Sequence, residues 1–154
     1  MQIIPLHTSI ELQLFKADTS FALALPYIEQ GINAGFPSPA DDFLDISIDL
    51  NKELIQNKDA TYFARVNGNS MIDAGINDGD LLIIDKSIKP SSGKTAVCFI
   101  DGEFTIKWLN ITKDVIWLTP ANKNFKPIKV TKDNDFLIFG IITYIIKKPL
   151  SCSP

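Results

Sequence analysis

A serine, a lysine and one peptide bond between small residues are the positions in this sequence that could carry covalent chemistry. Ser70 stands in Val66-Asn67-Gly68-Asn69-Ser70-Met71-Ile72-Asp73, where a strand pattern runs into a glycine-containing turn. A serine just past a tight turn can be exposed, with backbone N–H groups nearby open to a developing oxyanion. The same position also suits an ordinary turn-forming serine. Lys107 falls in the strand pattern 103–109, where side chains alternate. Glu103, Thr105, Lys107 and Leu109 share one face, and Phe104, Ile106 and Trp108 the other. Apolar neighbours desolvate a lysine and loosen its proton, from a pKa of about 10.4 to about 5–6 in extreme cases. A neutral lysine can serve as general base for a serine. The alternative is a solvated strand lysine whose stem lies along the sheet. Ala34-Gly35 lies where the chain reads as an extended link. Small residues there leave the bond open to a peptidase, or form a plain hinge.

The elements that must position these groups follow from the surrounding pattern. Gly35-Phe36-Pro37-Ser38-Pro39-Ala40-Asp41-Asp42 carries two prolines, which favour extended geometry in themselves and in the residues before them. Ahead of it runs an arm with apolar patches at 21–25 and 27–28. The arm is too short to hold a core and must lie on something or move. After the link a helix is expected over 49–56, with Asp49 as N-cap and Leu50 and Leu54 four residues apart. The remaining segments, 62–66, 80–85, 95–100, 103–109, 115–118 and 136–146, are rich in β-branched and aromatic residues and separated by turn signals. Asp101-Gly102 joins 95–100 to 103–109 as a type I′ hairpin, since both central residues need φ > 0. The expected fold is mostly β: a small antiparallel β domain preceded by a flexible N-terminal arm. The expected division is an arm with its link at 1–40, the β domain at 41–150 and a tail at 151–154.

Composition narrows the classes. The chain has 154 residues, 45% hydrophobic and 21% charged, which suits one soluble domain and excludes wholesale disorder or a disulfide miniprotein. Fifteen Lys and Arg stand against eighteen Asp and Glu, a net charge of −3, so no strong direct DNA binding is expected. The single histidine, His7, excludes paired-His metal sites. It also disfavours a Ser-His-Asp triad unless the arm supplies the base, and no metal site is expected. Cys98 lies in an apolar run and reads as a small buried hydrophobe. Cys152 lies in the tail, and nothing suggests a disulfide framework, which points to a reducing cytoplasm. No segment approaches the roughly 18 consecutive apolar residues of a membrane span. The first residues also lack the basic-then-apolar order of a secretory signal.

Taken together, the motifs resemble the UmuD branch of the LexA/UmuD family of self-cleaving Ser-Lys peptidases. The resemblance is collinear over about residues 25–148. It runs through Gly35-Phe36-Pro37-Ser38-Pro39-Ala40-Asp41, Ile48-Asp49-Leu50-Asn51, Ala60-Thr61-Tyr62-Phe63, Gly68-Asn69-Ser70-Met71-Ile72-Asp73-Ala74-Gly75-Ile76-Asn77-Asp78-Gly79-Asp80-Leu81-Leu82-Ile83, Asp101-Gly102-Glu103-Phe104-Thr105-Ile106-Lys107 and Phe139-Gly140.

The resemblance implies that Ser70 is the nucleophile and Lys107 the base. It makes Ala34-Gly35 the bond the protein cuts in itself, and the backbone N–H groups of Asn69 and Ser70 the oxyanion donors. It implies no cofactor. It further implies a homodimer and cleavage stimulated by RecA filaments on single-stranded DNA. The trimmed product would serve a Y-family, UmuC-like translesion polymerase after DNA damage. The arm before Ala34 is about ten residues longer than the family leads one to expect, and its first twenty residues match no motif. The alternatives are a non-enzymatic β interaction module with Ser70 and Lys107 inert, a Ser-Lys peptidase that cuts other chains, and a LexA-like repressor. The last is disfavoured because the arm, with Pro5 and Pro26, cannot hold a helix-turn-helix domain.

Overall fold

Runs of β-branched and apolar residues set the strands, positive φ in turns sets five of the six glycines described, and a close approach between strands sets the sixth. The computed structural model describes residues 7–8, 11–16, 24–26 and 47–150, and the fold is mostly antiparallel β. In chain order the strands are β1 (His7–Thr8), β2 (Leu12–Lys16), β3 (Ala24–Pro26), β4 (Ser47–Asp49), β5 (Thr61–Val66), β6 (Leu81–Asp85), β7 (Thr95–Ile100), β8 (Glu103–Ile111), β9 (Ile116–Thr119), β10 (Ile128–Val130) and β11 (Phe136–Ile146). One helix, α1 (Leu50–Leu54), follows β4. The Ala34-Gly35 bond and the 151–154 tail with Cys152 lie outside the described residues.

The chain divides into two compact units, which part at residues 17–18 and again at 58–59. In the smaller, β3 pairs antiparallel with β4. Asp49 caps α1 by accepting a hydrogen bond from the Asn51 backbone N–H at 3.0 Å. The helix is shorter than the expected 49–56: Ile55 already has extended backbone, and none of the helical residues is buried. With no packed face, little offsets the cost of nucleating further turns.

The larger unit is a nine-stranded sheet in the order β1-β2-β5-β6-β11-β7-β8-β9-β10. Leu12 and Leu14 of β2 are buried with Ala64, Val66, Leu82 and Ile84, and in the same cluster as Val97 and Ile106. β2 and β8 are five places apart in the sheet order, so the sheet curls until its two sides share one core. Ala96, Cys98, Leu109, Leu118 and Ile141 form a second cluster. The expected hairpin is present. β7 pairs with β8 from Thr95↔Trp108 to Ile100↔Glu103, and Asp101 and Gly102 both take positive φ, 50° and 91°.

β11 is the long central strand, paired with both β6 and β7. Its register shifts against β7 between Ile138 and Gly140, which bulges the strand. A Cβ on Gly140 would lie 2.6 Å from Ile84 Cγ2 and 3.2 Å from the Asp85 carbonyl oxygen. Only glycine lets β6 approach this closely. Among the described residues no helix is long and apolar enough to cross a membrane.

Candidate active site

The turn after β5 is held from several directions. The Val66 N–H donates to the Asp80 carbonyl at 3.0 Å, and the Gly79 N–H donates to the Val66 carbonyl at 2.8 Å. These bonds close residues 67–78 into a loop. Gly68 takes φ 111°, a conformation that favours glycine, and its N–H donates to Asp78 Oδ1 at 2.9 Å. The chain then presents Ser70, buries Met71 and winds into a 3₁₀ turn at Ile72–Ala74.

A second loop braces this one. The Asp73 N–H donates to the Ala121 carbonyl at 2.7 Å, and the Ala121 N–H donates to Met71 Sδ at 3.2 Å. Asn122 Nδ2 donates to the Asn69 carbonyl at 2.8 Å, which also accepts from the Ile72 N–H at 3.2 Å. A planar trans peptide points its C=O and N–H in opposite directions. Holding the Asn69 carbonyl therefore aims the Ser70 N–H, which has no acceptor among the described residues.

β8 delivers Lys107 from the other side. Its residue is 4% exposed and Ser70 is 6% exposed. Lys107 Nζ donates to Ser70 Oγ at 3.3 Å, Thr105 Oγ1 at 2.6 Å and the Ile106 carbonyl at 2.9 Å. An ammonium has three N–H bonds, and all three are used. The next shell is a carboxylate from the residue before β2. The Ser70 hydroxyl donates to one oxygen of Glu11 and the Thr105 hydroxyl to the other. That second oxygen lies 3.7 Å from Lys107 Nζ.

Burial pushes the Lys107 pKa below its ordinary value, opposed first by the Glu11 charge and then by Cys98. Burial also pushes the Cys98 thiol up to about 12. The thiol is therefore uncharged at neutral pH, which leaves Glu11 as the charge opposing the loss of the lysine's proton. A serine hydroxyl beside a lysine whose proton is loosened by burial is an arrangement suited to nucleophilic attack with a lysine base. As the site stands, the hydrogen bond runs from lysine to serine.

The structure thus brings Ser70 and Lys107 together. The lysine is buried rather than solvated along the sheet. Ser70 is not exposed as its turn position suggested, because Glu11 lies on its hydroxyl. Two further groups escaped the sequence reading. Thr105 carried a signal, since it shares a strand face with Lys107 two residues on. Glu11 carried none, lying in the stretch that matched no motif. Among the described residues no three His, Cys, Asp or Glu side chains gather to hold a metal.

Comparison with known proteins matches the family described as Peptidase S24-like to residues 26–143. Protein MucA of Salmonella typhimurium is 38% identical over 129 residues, covering 82% of this chain and 88% of that protein. Protein ImpA of Shigella flexneri is 37% identical over 123 residues, covering 80% and 83%. The LexA repressor of Alcanivorax borkumensis is 38% identical over 120 residues, covering 78% of this chain and 58% of the repressor.

Proposed function

Because the chain belongs to the Peptidase S24-like family, the family of LexA and UmuD-like proteins, we propose that it is a serine peptidase that cuts its own Ala34-Gly35 bond. The observation that carries this reading is the 3.3 Å separation of Ser70 Oγ and Lys107 Nζ, both buried. Lys107 first loses a proton to solvent. Its neutral amine then takes the Ser70 hydroxyl proton as Oγ attacks the Ala34 carbonyl carbon. The N–H groups of Asn69 and Ser70 stabilise the oxyanion. The Ala34–Gly35 bond breaks, and the lysine ammonium returns its proton to the leaving Gly35 amine. Water, deprotonated by Lys107, hydrolyses the ester and restores Ser70. The products are residues 1–34 with a new carboxylate and residues 35–154.

The resemblance to the UmuD branch supports the wider role. Cleavage is stimulated by RecA filaments on single-stranded DNA in the cytoplasm. The 35–154 product, as a homodimer, then assists a Y-family translesion polymerase in the response to DNA damage. The exposed apolar residues Tyr144, Ile145 and Ile146 at the end of β11 support docking of another protein surface.

The test is intact mass before and after adding RecA, nucleotide and single-stranded DNA. Fragment 35–154 from wild type, and its absence from Ser70→Ala, is the expected result. Gly35→Glu, which adds bulk and charge at the bond, is expected to resist cutting. Mixing it with Ser70→Ala chains tests action between chains, because only the latter keep an intact bond. Cleavage of Gly35→Glu at the usual position and rate would refute the placement of the bond.

A further inference from the structure

Glu11 has no part in the chemistry above, yet its carboxylate meets every other polar side chain at the dyad. Its position is built rather than incidental. The Asn67 N–H donates to the Glu11 carbonyl at 2.6 Å, and the next residue opens β2, which pairs with β5 from Leu12↔Val66 to Lys16↔Tyr62. Leu12 and Leu14 anchor the strand in the core, at 0% and 3% exposed.

The hydrogen bonds at the site all run one way. Lys107 donates to both hydroxyls, and both hydroxyls donate to Glu11. Attack requires the reverse at Ser70, whose hydroxyl must donate to a neutral lysine. It also requires an open approach to Ser70 Oγ for a carbonyl carbon. Glu11 denies both. It accepts the hydroxyl's hydrogen bond, and its charge favours the ammonium form of Lys107. The groups that face Lys107 are Thr105 and the Ile106 carbonyl from β8, Cys98 from β7, Ser70 from its turn and Glu11 from the β2 side. Glu11 alone among them is a carboxylate.

We propose that residues 11–16 are an internal inhibitor of the dyad, in which β2 docks on the edge of β5 and Glu11 occupies the place of the reacting carbonyl. The carboxylate is a chemical image of the product, which also ends in a carboxylate beside Ser70. A peptide carbonyl can reach Ser70 Oγ only when this segment leaves, so departure of β2 is the activating step. The proposal rests on the dyad reading for its effect on cleavage, but not for its effect on the reactivity of Ser70.

The experiment uses the full chain with Glu11→Ala and the near-isosteric Glu11→Gln, each checked for folding by circular dichroism. Two rates are followed by intact mass across pH: labelling of Ser70 by a fluorophosphonate, and appearance of fragment 35–154. Both variants are expected to label at least about tenfold faster at pH 7, since one charge contact can change a protonation equilibrium by that factor. Their pH dependence should move to lower pH, with self-cleavage accelerated alongside. Faster labelling with no self-cleavage in any chain would support the inhibitor and overturn the self-cleavage reading. Self-cleavage in wild type, with labelling in both variants no faster and its pH dependence unmoved, would overturn the inhibitor and leave that reading standing.

Discussion

Leu14→Ala separates a docked inhibitory strand from an integral one. Leu14 is 3% exposed in the main core cluster, paired with Ala64 across β5. Truncating a buried leucine costs about 2–5 kcal/mol, and about 3 kcal/mol is a fair value for a strand near the sheet edge, where neighbours can close in. If β2 opens without the rest of the sheet, that cost falls on the local opening equilibrium. Each 1.4 kcal/mol is about a factor of ten in an equilibrium constant, so the undocked fraction rises on the order of a hundredfold until it saturates. Hydrogen exchange with mass readout on the full chain should show faster exchange confined to β2, its β1 neighbour and its β5 partners. Self-cleavage should accelerate in proportion, and Gln13→Ala, whose side chain is only half-buried, should change neither rate by more than about twofold. Unchanged exchange over 11–16, with the full cost appearing in the global unfolding midpoint, would show β2 to be an integral strand that does not open separately.

Lys107 titration should link stability to the proposed self-cleavage. Burial holds its pKa below 10.5, so the folded chain binds this proton less tightly than the unfolded chain. The cost of charging it is full below the folded value and is relieved as pH rises from there toward 10.5. Denaturation midpoints across that window should therefore rise for wild type relative to Lys107→Met, and the self-cleavage rate should rise over the same window. Gly140→Ala should cost about 1–3 kcal/mol by overpacking against Ile84, read as a melting temperature lower by several degrees. Asn122→Ala removes the side-chain donor that holds the Asn69 carbonyl. It should cost about 1 kcal/mol or less in stability while slowing self-cleavage several-fold, measured as fragment formation at fixed pH.

The parts of this protein visible in its sequence are those written locally. The Asp101-Gly102 hairpin is a two-residue signal, and the structure shows both residues at positive φ. The strand at 136–146 has the same bounds in both readings because its apolar run is long and ends in charged or polar turns. β10 escaped because three residues, Ile128–Val130, are too few to show a period. β2 escaped for a different reason. Leu12 and Leu14 alternate as a strand should, but only the curl of the sheet makes that face a core. Glu11 is the furthest from legible. Its contacts to Ser70 and Thr105 span 59 and 94 residues of chain, and no local pattern encodes such a meeting. Ser70 and Lys107 stood out through their motif contexts, whereas their 3.3 Å approach is a property of the folded sheet.

The proposed reaction is the cutting of the Ala34-Gly35 bond by Ser70 and Lys107. Its most direct test is the intact mass of purified protein held alone at alkaline pH, where a neutral lysine is favoured. The expected result is a time-dependent fragment with the mass of residues 35–154 in wild type, and none from Ser70→Ala or Lys107→Ala chains that remain folded. The same fragment forming in folded Ser70→Ala protein would show that Ser70 is not the nucleophile.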